Sequence, residues 1–164
     1  VVKPRRGSDS IGLRIIRDGS IPARLRTDKY IVQQQIRGEE LTIAVFGDRL
    51  GLPLRILLAE GVPYTFSRKY LLRPRRVPVV DIALAERVRA LASHISRMFE
   101  VNWAARIDLI HETVTGRLYF LECDVAPLVG AQSAFAASFE AAHVSRSEQV
   151  NMLVGRAADL ILSH

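Results

Sequence analysis

Arg106-Ile107-Asp108 and, one short turn later, Phe120-Leu121-Glu122-Cys123-Asp124 are the stretches from which the fold of this chain is read. Taken as two strands of a hairpin closed by the loop Val114-Thr115-Gly116, they place Asp108 opposite Glu122 and Arg106 opposite Asp124. Side chains alternate between the two faces of a strand, so these four polar groups share one side. Ala105, Ile107, Leu109, Tyr119, Leu121 and Cys123 then form the other side, which reads as core.

Three carboxylates around one guanidinium repel one another and raise one another's pKa unless a cation compensates them. Hard oxygen donors of this kind suit Mg2+, which takes one or two carboxylates and completes its shell with water and phosphate oxygens. A solvated strand face with an incidental salt bridge to Arg106 is the alternative at this point.

The chain has 164 residues, 49% of them apolar, enough to bury a substantial core in one domain with a smaller lobe. No apolar run approaches the roughly 20 residues needed to cross a bilayer, so no membrane role is expected. The single cysteine, Cys123, excludes an internal disulfide framework and suits a reducing, cytoplasmic setting. Its place on the apolar face makes it a small core residue rather than a nucleophile. The net charge of +6 comes from 20 arginines and three lysines against 17 acids. The basic residues are dispersed, apart from Arg73-Pro74-Arg75-Arg76, and aromatic residues are few, which ranks nucleic acid low and an anionic small molecule higher. His94, His111, His143 and His164 share no metal-ligand spacing.

Outward from the hairpin, Val1-Val2-Lys3-Pro4 reads as a strand. The small polar loop Arg5-Arg6-Gly7-Ser8-Asp9-Ser10-Ile11-Gly12 follows, then a second strand over Leu13, Ile15 and Ile16. Such a loop can wrap phosphates with backbone N–H groups and hydroxyls, or be a plain turn. Tyr30 to Ile36, Leu41 to Phe46 and Leu52 to Leu58 are further strands of an antiparallel meander, with Ser67 to Pro78 irregular and basic. Asp81 caps an amphipathic helix to Phe99, whose apolar positions are Leu84, Val88, Leu91, Ile95 and Met98. Beyond the hairpin, a loop over Val125 to Gln132 leads to a short helix from Ala134 to His143. Ser145 and Glu148 form a capping box for a last helix with core face Val150, Leu153, Val154, Ala157 and Leu160.

These pieces, in this order, resemble the ATP-grasp superfamily, and in particular the ATP-binding and C-terminal part of D-alanine:D-alanine ligase-like enzymes, from Lys3 to about Ala158. The resemblance implies an α+β ATP-grasp fold of antiparallel and mixed sheets flanked by helices, incomplete at its N-terminus. Residues 1–37 would belong to the ATP-binding subdomain and 38–164 to the C-terminal catalytic domain. It further implies that Lys3 and the loop residues Gly7, Ser8, Ser10 and Gly12 bind ATP phosphates. Gln34, Gln35 and Ile36 would meet adenine, and Glu40 would hold the ribose. Lys69 would be a second active-site lysine, Arg106 would stabilise an oxyanion or acyl phosphate, and Ser133 would face substrate. Asp108, Glu122 and Asp124 match the family's ligands for two Mg2+ ions, with Mn2+ as a substitute.

The implied activity is ATP-dependent carboxylate-amine ligation through an acyl phosphate, with amino acids or peptides as substrates and room for a homodimer. Asp124 stands where the family has asparagine, Leu128 where it has glycine, and Asp9 lies within the phosphate loop. Arg5-Arg6-Gly7-Ser8 also resembles the carbamoyl-phosphate-synthase-like branch. A ligase of that branch and a non-catalytic ATP-binding module are therefore the alternatives. In the family a substrate domain and the first half of the ATP-binding subdomain precede the Lys3 strand; this chain has neither, which leaves open a piece of a longer protein, inactive by itself, or a relic that no longer catalyses.

Overall fold

The computed structural model describes residues 1–6, 11–17, 19–57 and 75–162, which fall into two compact units. Unit 1 comprises Val1–Arg37 and Leu57–Arg75; unit 2 comprises Gly38–Ile56 and Arg76–His164.

In unit 1, β1 (Val2–Pro4) pairs antiparallel with β2 (Tyr30–Val32), Lys3 facing Ile31 across the ladder. The hairpin expected between β1 and Leu13 to Ile16 is reduced to one bridge, Val2 with Arg14. The apolar alternation there is real, but β1 has its continuous partner far along the chain. The Tyr30 strand also ends at Val32, and the glutamines Gln33, Gln34 and Gln35 lie beyond it, exposed. A short 3-10 turn, Ala23–Leu25, buries Leu25.

Unit 2 is built on a six-stranded sheet. Its strands are β3 (Glu39–Phe46), β4 (Arg49–Leu50), β5 (Leu54–Leu57), β6 (Arg75–Pro78), β7 (Ala104–Glu112) and β8 (Arg117–Asp124). Their order is β6-β5-β3-β7-β8, with β4 also on β3. The end of the segment expected to be irregular is therefore a strand. Strand β3 is buried on both faces from Leu41 to Phe46, as its nearly unbroken apolar sequence requires. One face carries Leu41, Ile43, Val45, Ala105, Ile107 and Leu109 and is covered by helix α1 (Ile82–Met98) through Leu84, Ala85, Val88, Ala92 and Ile95. The Asp81 carboxylate accepts from the Leu84 N–H and caps α1 as expected, whereas Met98 is exposed. On the opposite face Ala44, Phe46 and Ala104 pack with Phe135 and Phe139 of α2 (Ala134–Ala141).

The last helix, α3 (Arg146–Leu162), starts at the expected capping box: the Ser145 N–H donates to Glu148 at 2.7 Å, and the Glu148 N–H donates to the Ser145 hydroxyl at 3.3 Å. Its inward face agrees with expectation at Leu153 and differs at Val150 and Val154. Val150 and Val154 are exposed, while Gln149 is buried and Met152 and Leu153 pack on the Phe46 cluster. Gln149 tolerates burial because its amide donates to the carbonyls of Ala136 and Val144 and its oxygen accepts from Arg146. Among the described residues no helix is long and apolar enough to cross a membrane.

One side chain joins α2 to the sheet. The fully buried Ser138 hydroxyl accepts from the Ala44 N–H at 2.9 Å and donates to the Leu52 carbonyl at 2.8 Å, where the chain between β4 and β5 makes no ladder. Ser138→Ala leaves a buried donor and a buried acceptor without this partner, and about 1–3 kcal/mol of stability should be lost. Urea unfolding monitored by circular dichroism checks this; a loss below about 0.5 kcal/mol would show that the backbone there finds another partner.

Candidate functional site

The site is set by register. Strand β7 pairs with β8 so that Asp108 faces Glu122 and Arg106 faces Asp124, and with β3 so that Asp108 faces Thr42 and Arg106 faces Ala44. The expected pairing of the four charged residues is thus present, but it is reached differently. The connection is one residue longer, since Glu112 pairs with Arg117, and a bulge between Asp108 and Leu109 restores the phase. The correction falls on the apolar side: Phe120, not Leu121, is the partner of Leu109. Tyr119 faces Ile110, and its hydroxyl donates to Glu112 at 3.3 Å.

Arg106 is the hub. Its Nε donates to Asp108 Oδ1 and its Nη2 to Asp108 Oδ2, each at 3.0 Å, the fork geometry that guanidinium and carboxylate planes favour. Glu122 and Asp124 each bring an oxygen to 3.6 Å from the same Nη2. The side chain of Arg106 is only 12% exposed. Burial alone would lower its pKa; Asp108, by charge and hydrogen bond, then Asp124 and Glu122, outweigh it and raise the pKa, so Arg106 remains a cation. From β3, the Thr42 hydroxyl donates to Asp108 Oδ1 at 2.7 Å.

Thr42 is not among the candidate residues named above from the sequence. It is the lone hydroxyl in the buried run Leu41 to Phe46, and that contrast, with its place on the Asp108 face, is the signal that could have found it.

The carboxylates differ in what holds them. Asp108 has both oxygens engaged. Asp124 accepts the Ala126 N–H at 3.1 Å, which bends the chain into the next loop. Glu122 is the most open, its side chain 58% exposed. Among the described residues no group of three or more His, Cys, Asp or Glu side chains is arranged to hold a metal ion. Mg2+ asks for less than such a cage, taking one or two carboxylates with water and phosphate as the remaining ligands. Glu122 and Asp124, hard oxygen donors on the same face with partial exposure, fit that demand. Behind them Cys123 packs against the core, and its thiol pKa is raised by burial first and then by Asp124 and Asp108, which keeps it protonated.

The loop after β8 is tied down by arginines from two directions. Arg76 donates to the Gln132 carbonyl at 3.1 Å, and Arg146 donates to the Val129 carbonyl. Pro127 is buried in this loop, and Leu128 is exposed. Ser133 ends it as the N-cap of α2, its oxygen accepting the Ala136 N–H at 3.0 Å. Its hydroxyl proton is not consumed by that bond.

The remaining candidates distribute as follows. Glu40 is on β3 opposite Ile110, the same face as Thr42 and Asp108. In unit 1, Lys3 is the middle residue of β1, and Gly12 adopts a φ of +79°, where an added Cβ would also press to 3.0 Å from Pro4. Gln34 and Gln35 are exposed and Ile36 is half-buried. Gly7, Ser8, Ser10 and Lys69 lie outside the described residues.

D-alanine--D-alanine ligase of Nitrosospira multiformis is 32% identical over 169 residues, covering 96% of this chain and 54% of that protein. The enzyme of the same name from Paramagnetospirillum magneticum is 35% identical over 81% of this chain and 47% of its own length. The chain thus spans about half the length of the curated relatives it matches. In structure it is similar to D-alanine--D-alanine ligase of Bacillus anthracis, with a TM-score of 0.76 at 20% identity over 98% of this chain and 54% of that one. It is also similar to the VanG D-Ala:D-Ser ligase of Enterococcus faecalis, with a TM-score of 0.75 at 23% identity over 94% of this chain and 48% of that one. These likenesses support the α+β ATP-grasp architecture. Residues 1–155, which carry both the Lys3 strand and the Arg106 cluster, match the family model described as D-ala D-ala ligase C-terminus, and the chain belongs to that family.

Proposed function

We propose that this chain is the ATP-binding and catalytic part of an ATP-dependent ligase that joins the carboxylate of one small amino acid to the amine of another. The observation that carries the reading is the Arg106 guanidinium, clamped by Asp108 and flanked by Glu122 and Asp124, in a chain of the D-ala D-ala ligase C-terminus family. A Bacillus anthracis ligase of similar fold is known in complex with ATP, which supports ATP as the energy source. The names of the relatives favour D-alanine as a substrate.

In the first step the substrate carboxylate attacks the γ-phosphorus of ATP, forming an acyl phosphate and releasing ADP. In the second the amine of the other amino acid attacks the acyl carbon, and phosphate leaves with its bonding electrons as the amide forms. Both steps bring negative groups together, so the protein's task is positioning and charge compensation. Arg106 presents a permanent cation to the oxyanion and to the acyl phosphate. Lys3, the loop residues Gly7, Ser8, Ser10 and Gly12, and Lys69 act on the ATP phosphates, while Gln34 to Ile36 meet adenine and Glu40 the ribose. Ser133 keeps a hydroxyl proton for substrate while its oxygen caps α2. Glu122 and Asp124, with Asp108 beside them, would hold Mg2+, which when bound would neutralise phosphate charge and polarise the phosphoryl group. A cytoplasmic setting, where ATP is abundant and the lone Cys123 stays reduced, completes the reading.

The test uses the full-length protein with ATP, Mg2+ and a panel of D-amino acids. Phosphate release should require an acceptor amine and be greatest with D-alanine. Nucleotide binding by calorimetry with no phosphate release for any acceptor would instead establish a non-catalytic ATP-binding module. Absence of both would sink the reading.

A further inference from the structure

We infer that Thr42 is a positioning residue of the site: acting through Asp108, it fixes the plane in which the Arg106 guanidinium is held. The kinetic part of this inference rests on the ligase reading; the structural part does not.

Thr42 lies on β3 between Leu54 of β5 and Asp108 of β7, and it is 1% exposed. A hydroxyl buried to that degree needs a partner, and among the described residues that partner is Asp108 Oδ1 at 2.7 Å. The same oxygen accepts Arg106 Nε at 3.0 Å, while Oδ2 accepts Arg106 Nη2 at 3.0 Å. Nε also donates to Oδ2 at 3.3 Å, so three of the four bonds come from Arg106 itself, and they tie Asp108 and Arg106 to each other without tying the pair to the sheet. The last torsion of an aspartate is soft. Carboxylate and guanidinium could therefore turn together as one planar unit, and Glu122 and Asp124, at 3.6 Å, hold Arg106 too loosely to prevent it.

The Thr42 hydroxyl is the bond that comes from outside the pair. Threonine is stiff at χ1 because it branches at Cβ, and β3 is buried on both faces, so the donor is rigid. Setting the plane of Asp108 sets the plane of Arg106, and with it the direction of the guanidinium edge offered to substrate. Valine at this position keeps the shape and deletes the bond; serine keeps the bond and deletes a methyl group.

The experiment compares wild type, Thr42→Val and Thr42→Ser in the full-length protein. In nitrogen-15 NMR the Arg106 Nε–H, assigned by its loss in Arg106→Lys, should exchange slowly with solvent in wild type and about tenfold faster in Thr42→Val, with Thr42→Ser restoring protection. Under turnover, kcat should fall about tenfold in Thr42→Val with KM for ATP within about twofold of wild type, and Thr42→Ser should recover most of the loss. Unchanged exchange in Thr42→Val, or a serine variant as impaired as the valine one in both readouts, overturns the assignment and leaves Thr42 a packing residue. Should wild type itself show no turnover, the ligase reading fails and the exchange measurement still decides the role of Thr42.

Discussion

Arg106→Lys is expected to lower kcat by about two to three orders of magnitude while the protein stays folded. Lysine keeps the charge, so the prediction isolates geometry. Arg106 meets both oxygens of Asp108 at once, through Nε and Nη2, and brings Glu122 and Asp124 within 3.6 Å. A lysine ammonium is a single point of charge on a flexible stem and cannot span both carboxylate oxygens in one plane. Removing one oxyanion donor from a preorganised site costs about 2.7–4 kcal/mol of transition-state stabilisation. Arg106→Met should be at least as slow and also less stable, because it strands Asp108 and its neighbours without their cation. Losing charge-assisted hydrogen bonds at a pair only 12% and 16% exposed should cost about 1.5–3 kcal/mol. Steady-state phosphate release, with folding checked by circular dichroism, measures the first effect and urea unfolding the second. An Arg106→Lys enzyme within about threefold of wild type would show that charge alone suffices, contrary to the clamped geometry.

The Arg106 cluster was legible in sequence because charged residues two apart on each strand can only point one way. Its surroundings were less so, and each miss has a physical cause. Tyr119, Phe120 and Leu121 are all apolar, so alternation cannot tell which of them faces the core, and the bulge beside Leu109 is invisible. The loop length and the bulge shift the register in opposite senses, which is why the pairing of Asp108 with Glu122 survives both. On α3 Leu153 packs inward as expected, but in place of Val150 it is Gln149, a polar residue, that is buried, in a position its three hydrogen bonds make tolerable. Leu13, Ile15 and Ile16 alternate as a strand would, yet pairing is a property of two segments, and β1 is paired instead with Tyr30–Val32. Ser138 and Thr42 were missed for a common reason: a buried hydroxyl is conspicuous only once its partners from elsewhere in the chain are known.

Gly38→Ala should be a severely damaging single-methyl change in unit 2. A Cβ built there lies 2.2 Å from the His111 carbonyl oxygen, 2.8 Å from its carbon and 2.9 Å from Ile110 Cγ2. The first two are backbone atoms of a central strand, which cannot swing aside as a side-chain end can. Gly38 has no positive φ, so the requirement is close approach and not backbone conformation. Relief demands that the start of β3 lift from β7, breaking the pairing of Glu39 with His111 and of Glu40 with Ile110. The ion pair of Glu39 with Arg55, at 3.1 Å, is drawn into the same displacement. A loss of about 3 kcal/mol or more is expected, at the severe end of overpacking. Under the proposed function Glu40 moves with the strand, so KM for ATP should rise as well, even where enough folded protein remains to assay. Gly155→Ala is the matched control: that glycine is inside α3, without positive φ and with open space where a Cβ would go, and alanine there should add about 0.5–1 kcal/mol. Urea midpoints that move in opposite directions for the two variants support the argument. A Gly38→Ala protein within about 0.5 kcal/mol of wild type would mean that the β3 entry is pliant, and that the position of Glu40 is not set by its contact with β7.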